Sequence, residues 1–110
     1  MRYLLLICGT EGEVVEDDGT GMTIEEWVAE YDGSGVRLDG NRCADPADAT
    51  TVRVRGGEVL LTDGPFADTK ERMFGYDVLE CANLDEALEV AGKHPMARRG
   101  MVEVRPFWTE

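Results

Sequence analysis

The sequence predicts an α+β sandwich of the ferredoxin-like kind, in the order β α β, hairpin, β α β, with two helices on one face of an antiparallel sheet. Three observations predict it. Two segments join an apolar strand pattern to a capped amphipathic helix, and an alternating hairpin with a two-glycine turn lies between them. No glycine-rich nucleotide loop follows a strand, so a doubly wound parallel sheet is not indicated.

The first strand is Tyr3 to Cys8, apolar at consecutive positions, which asks for cover on both faces. The acidic, glycine-rich stretch from Gly9 to Gly21 reads as a loop. Thr23 stands three residues before Glu26, the spacing of a capping box, and Ile24, Trp27, Val28 and Tyr31 recur at helical spacing up to Gly33. Val36 to Leu38 begins a second strand. Thr51 to Arg55 alternates, Gly56-Gly57 turns, and Glu58 to Thr62 returns; the two-residue turn sets Arg55 against Glu58 and Val52 against Leu61. Val52, Val54, Val59 and Leu61 then share one face. Phe74 to Cys81 is the next strand. Asn83 caps a second helix with an apolar stripe of Leu84, Ala87, Leu88 and Ala91, whose last turn holds Lys93 and His94 and which Pro95 ends. Met101 to Arg105 alternates as the final strand.

A chain of 110 residues with 43% apolar residues is expected to form one domain, residues 1–110, with a core that needs neither staples nor metal. Eleven Lys+Arg against 23 Asp+Glu leave a net charge of −12, which argues against a nucleic-acid partner. The longest apolar run is far short of the ~20 residues that cross a bilayer, and no cleavage-site pattern follows it, so no membrane partner is expected. Cys8, Cys43 and Cys81 are odd in number and form no CxxC pair; reduced thiols in a cytoplasmic protein are the simple account. With one histidine and dispersed cysteines, neither a metal nor a cofactor is expected.

Two short helices cover one face of a sheet, while the first strand is apolar on both and Leu60, Phe107 and Trp108 also need cover. A homodimer paired through the open sheet face is the economical solution.

The most unusual stretch is Thr62 to Glu71. Asp63-Gly64-Pro65-Phe66 demands a turn, with Asp63 either bonding nearby backbone amides or serving as a functional carboxylate. His94 is the sole imidazole and has two readings: a cap on helix-end carbonyls, or a general acid or base facing a cleft between subunits and oriented by Asp63 or another carboxylate. Arg53 and Arg55 share a strand face, Lys70 and Arg72 follow the loop, Arg98 and Arg99 precede the last strand, and Arg105 lies in it. Convergent, they bind a carboxylate or phosphate; dispersed, they pair with surface acids.

The run TDGPFADTKE, preceded by TTVRVRGGEVLLT and followed by GYDVLECANLDEALEVAGKHP and GMVEVRPFW, resembles the DGPF-type branch of the YCII-related family. The resemblance extends from about Val36 to Trp108 and more weakly to MRYLLLI. It implies a ferredoxin-like fold and a dimer of the α/β-barrel type, and little about activity. In the wider family a histidine in the first helix region and an aspartate in an Asp-Pro step after the second helix have been proposed as an acid/base pair. This chain has no histidine from Thr23 to Asp32, and the matching step is His94-Pro95.

Two functions are therefore expected. In the first, a dimer binds a small polar or anionic organic molecule in a cleft, with His94 and Asp63 as catalytic residues, Arg53, Arg55, Lys70, Arg72 and Arg105 as ligand-binding residues, and Gly64, Pro65 and Phe66 as the site loop. In the second, the chain is a noncatalytic regulatory module that contacts another protein, a role suggested by the co-occurrence of DGPF-type domains with sigma factors.

Overall fold

A computed structural model describes all residues, Met1–Glu110. Six strands and three helices follow one another along the chain: β1 (Arg2–Thr10), α1 (Ile24–Gly33), β2 (Arg37–Arg42), β3 (Thr50–Arg55), β4 (Glu58–Asp63), β5 (Glu71–Glu80), α2 (Leu84–Gly92), α3 (Pro95–Arg99) and β6 (Met101–Pro106). Four strands form one sheet in the order β2-β5-β1-β6, with all neighbours antiparallel. Both helical crossovers skip a strand, which is the mixed α+β arrangement the sequence predicts.

Local signals position the elements. The Thr23 hydroxyl accepts from the Glu26 N–H at 3.2 Å while the Glu26 carboxylate accepts from the Thr23 N–H at 3.1 Å, so α1 starts on a complete capping box. Asn83 accepts from the Glu86 N–H at the start of α2. Gly56 and Gly57 both take positive φ, the backbone a two-residue hairpin turn needs, and β3 pairs with β4 in the register expected.

Alternation in β1 divides the sheet. Tyr3, Leu5 and Ile7 are buried under the helices with Leu79, Trp27, Tyr31, Ala87, Val90 and Ala91, and this cluster is the core. Leu4, Leu6 and Cys8 point to the opposite, helix-free face and remain half-buried. A bulge shifts the β1–β5 register between Ile7 and Cys8, where Phe74 is the extra residue.

Three expectations need correction. First, α2 ends at Gly92, so His94 is not in its last turn, and Pro95 opens α3 rather than closing a helix. Proline suits the first helical position, where its missing N–H is not needed. Second, Leu84 and Leu88 are exposed, and Val90 takes their place beside Ala87 and Ala91, where small side chains let α2 approach the sheet. Third, β3 and β4 do not join the main sheet. They form a separate two-stranded arm, exposed along almost its whole length. The arm stretches the molecule to a radius of gyration of 16.0 Å, against about 13 Å for a compact chain of this length.

Candidate functional site

His94 sits where α2 hands over to α3. Its Nδ1 accepts from the Met96 N–H at 3.0 Å, making it the N-cap of α3. Its ring lies against the Trp27 indole edge to face, centroids 4.7 Å apart, and the residue is only 4% exposed. An imidazole whose Nδ1 accepts must, when neutral, carry its proton on Nε2. Nε2 has no protein partner, and no side-chain polar atom on a residue removed from the surface is both sealed and unpartnered. Nε2–H therefore keeps access to solvent.

His94 lines a cleft of about 780 Å³. Its floor and apolar wall include Ile7, Val28 and Phe74, and four arginines line it: Arg37, Arg42, Arg98 and Arg99. Two are occupied. Arg37 donates through Nε to Asp77 Oδ1 at 2.7 Å and through Nη1 to Asp32 Oδ1 at 3.0 Å. Arg98 holds Asp17 with two bonds, at 3.1 and 2.9 Å, and the Met22 carbonyl with a third at 3.0 Å, fastening the loop before α1 across the cleft. Arg42 and Arg99 make no ion pair and no side-chain hydrogen bond. Two glycines make room for the occupied pair: a methyl at Gly40 would overlap Asp77 Oδ1, and one at Gly21 would overlap the Arg98 guanidinium.

These contacts shift proton affinities in opposite directions. Hydrogen bonds from Arg98 and from the Gly19 N–H hold the Asp17 carboxyl down to about 2. Burial pushes the Asp77 carboxyl up against the pull of Arg37. Burial first, and then the positive charges of Arg37 and Arg98, push His94 down to about 4. The ring is neutral near pH 7.

The depressed His94 value gives a stability signature. An unfolded histidine takes up its proton near 6.5, the folded one only near 4, so the unfolded chain binds more protons between them. His94 burial therefore contributes fully above about pH 6.5, and the contribution is lost as pH falls toward about 4, by at most about 3 kcal/mol. His94→Asn keeps an oxygen to cap α3 and removes the titration. Urea unfolding from about pH 7 to about pH 4.5 should show wild type losing stability relative to this variant. Parallel curves would mean the ring titrates normally in the fold.

The residues expected to form one site are divided between two faces. Asp63 ends β4 opposite Thr50, is exposed, and is absent from the His94 cleft. Arg53 and Arg55 lie on the exposed arm, and Arg55 bonds the Val54 carbonyl. Lys70 is exposed, and its carbonyl accepts from the Glu11 N–H. Arg72 and Arg105 do come together with Pro65 and Phe66, around a second hollow that also includes Leu6 and Cys8 of the helix-free face. There Arg72 pairs with Glu11 at 3.2 Å and Arg105 with Glu103. Gly64 packs back onto the arm, its N–H donating to Ala49 and its carbonyl accepting from Thr51.

Arg37, Arg42 and Asp77 were not foreseen as site residues. One signal was present. Asp77 keeps step with Gly75 and Leu79 on the core-facing side of β5, and an acid at a buried strand position asks for a partner. Arg42 is hard to read as a strand residue because only Val36 to Leu38 carries a strand pattern, whereas β2 runs to Arg42.

The sequence profile of the YCII-related domain matches residues 1–109. The chain belongs to the YCII-related family. The match reaches the first strand and α1, beyond the segment from Val36 that carried the resemblance most clearly. The chain is also 47% identical over 61 residues to an uncharacterised protein of Rhizobium meliloti (strain 1021), covering 54% of this chain and 49% of that relative. It thus spans about half of that relative's length. For this YCII-related chain no helix is long and apolar enough to cross a membrane.

Proposed function

We propose that this YCII-related protein binds a small anionic organic molecule in the His94 cleft and works in the cytoplasm as a homodimer paired through the helix-free sheet face. One observation carries the ligand reading: Arg42 and Arg99 line the cleft unpaired in a chain of net charge −12. With 23 acidic side chains available, two free guanidinium groups beside an apolar wall suit an anion with an organic body. The three free thiols fit a reducing compartment.

A thermal-shift and calorimetric screen of small carboxylates and phosphates tests this reading. At least one should stabilise wild type, and Arg42→Gln and Arg99→Gln should each weaken it about ten-fold, the loss of one charge-assisted contact. Both side chains are exposed, so the variants should fold. No shift with any acid sinks the ligand reading.

A second reading, a noncatalytic interaction module, is favoured by the β3–β4 arm. Val52, Val54, Val59 and Leu61 are each more than half exposed on one of its faces, and an isolated two-stranded ribbon is marginal in water. The homodimer covers such surface with a second copy. Sedimentation at micromolar concentration should give twice 12.1 kDa; a clean monomer would leave the arm to a different, regulatory partner.

A further inference from the structure

His94 lines the cleft, and the one ring nitrogen that keeps access to solvent is a donor. Its Nδ1 is committed to the Met96 N–H, and Nε2–H is the only polar group of the ring left for a ligand. For His94 to take a proton from a ligand through Nε2, the ring would have to move its own proton to Nδ1. That would set two N–H groups head to head at the start of α3, cost the cap, and leave the Met96 N–H unsatisfied. Protonating both nitrogens instead would create a cation near Arg37 and Arg98 in a buried place. Trp27 packs edge to face against the ring on one side, and turning the ring away from Met96 would give up the α3 cap.

We propose that His94 is a fixed neutral hydrogen-bond donor, and that the cleft selects small carboxylates carrying a second, uncharged oxygen acceptor, with Arg42 and Arg99 on the carboxylate and His94 Nε2–H on the neutral oxygen. The inference rests on the ligand reading above and names its substrate class. Two unpaired guanidinium groups ask for negative charge, whereas a neutral imidazole N–H recognises a carbonyl or hydroxyl oxygen without adding charge. Nε2–H has no protein partner and is not sealed from solvent, so a ligand oxygen can take the place of the water that otherwise meets it. His94 is then a specificity residue, and the acid/base role expected for it with Asp63 is not required.

Two matched pairs of acids test the selection by calorimetry: phenylacetate against benzoylformate, and 4-phenylbutyrate against 3-benzoylpropionate. Within each pair a CH₂ becomes a carbonyl at constant charge. At least one keto acid should bind wild type about ten-fold tighter than its partner, and His94→Asn should abolish that preference while keeping affinity for the plain acid. Binding of both members equally in both pairs overturns this inference and leaves the ligand reading standing. Binding of none of the four acids, together with none in the wider screen, overturns both. Nitrogen-15 NMR supplies a check independent of any ligand and of the variant's folding, because the chain has a single imidazole. The Nε2–H tautomer should persist across neutral pH; an Nδ1–H tautomer or an imidazolium at pH 7 overturns the proposal.

Discussion

Asp77→Ala is expected to cost about 4 kcal/mol of folding stability, within the range for breaking a buried ion pair from one side. Asp77 is 5% exposed and holds Arg37 at 2.7 Å beneath the cleft. Removing the carboxylate leaves a guanidinium in a low-dielectric place with only Asp32, itself half exposed, at 3.0 Å. The cost comes from the orphaned charge rather than from the lost attraction, which makes the cause separable. Arg37→Met with Asp77→Leu removes both charges and should recover most of the loss. Urea unfolding of the two single variants and the double variant measures this directly. A loss below about 1 kcal/mol for Asp77→Ala would mean that the pair is solvated like a surface salt bridge.

Trp27→Ala should cost about as much, about 4 kcal/mol. Trp27 is fully buried, donates through Nε1 to the Val90 carbonyl at 2.9 Å, and meets Tyr31 edge to face at 5.4 Å. It joins α1, α2 and His94. Its loss opens a cavity beside the imidazole, so the consequence reaches the site. With water admitted, the burial that holds His94 near 4 is relieved, and the ring should titrate closer to 6.5. An NMR pH titration of the single histidine reads this in parallel with calorimetric unfolding. Trp27→Phe keeps most of the packing and should move both quantities less. If Trp27→Ala leaves the His94 titration unchanged, the arginine charges rather than burial set it.

Several elements were legible because the responsible residues are near neighbours. Gly56-Gly57 fixes a hairpin register across six pairs, and Thr23 with Glu26 starts a helix, through bonds spanning at most a few residues. The extra length of β2 and β5 was less legible, since Gly40, Asn41 and Glu71 carry no strand propensity and are held only by pairing with neighbours. His94 was misplaced for a related reason. Proline forbids a helix interior but suits a helix start equally well, and only the packing of the ring on Trp27 selects between those uses.

The candidate site shows the same division. Asp63, His94 and the arginines of the chain are visible as residue types, yet their grouping depends on two crossovers, β1-α1-β2 and β5-α2-α3-β6, each passing over an intervening strand. That topology brings Arg37, Asp77 and His94 to one cleft and leaves Asp63, Arg53 and Arg55 on the arm. By itself, the sequence determined the α+β class, the order of the strands with α1 and α2, the hairpin register and the caps that start those two helices, because turns, caps and alternation act over a few bonds; α3 and its His94 cap it did not. Only the tertiary structure decided which charged residues are buried together and which nitrogen of His94 is free, because desolvation and proton placement depend on neighbours tens of residues distant along the chain.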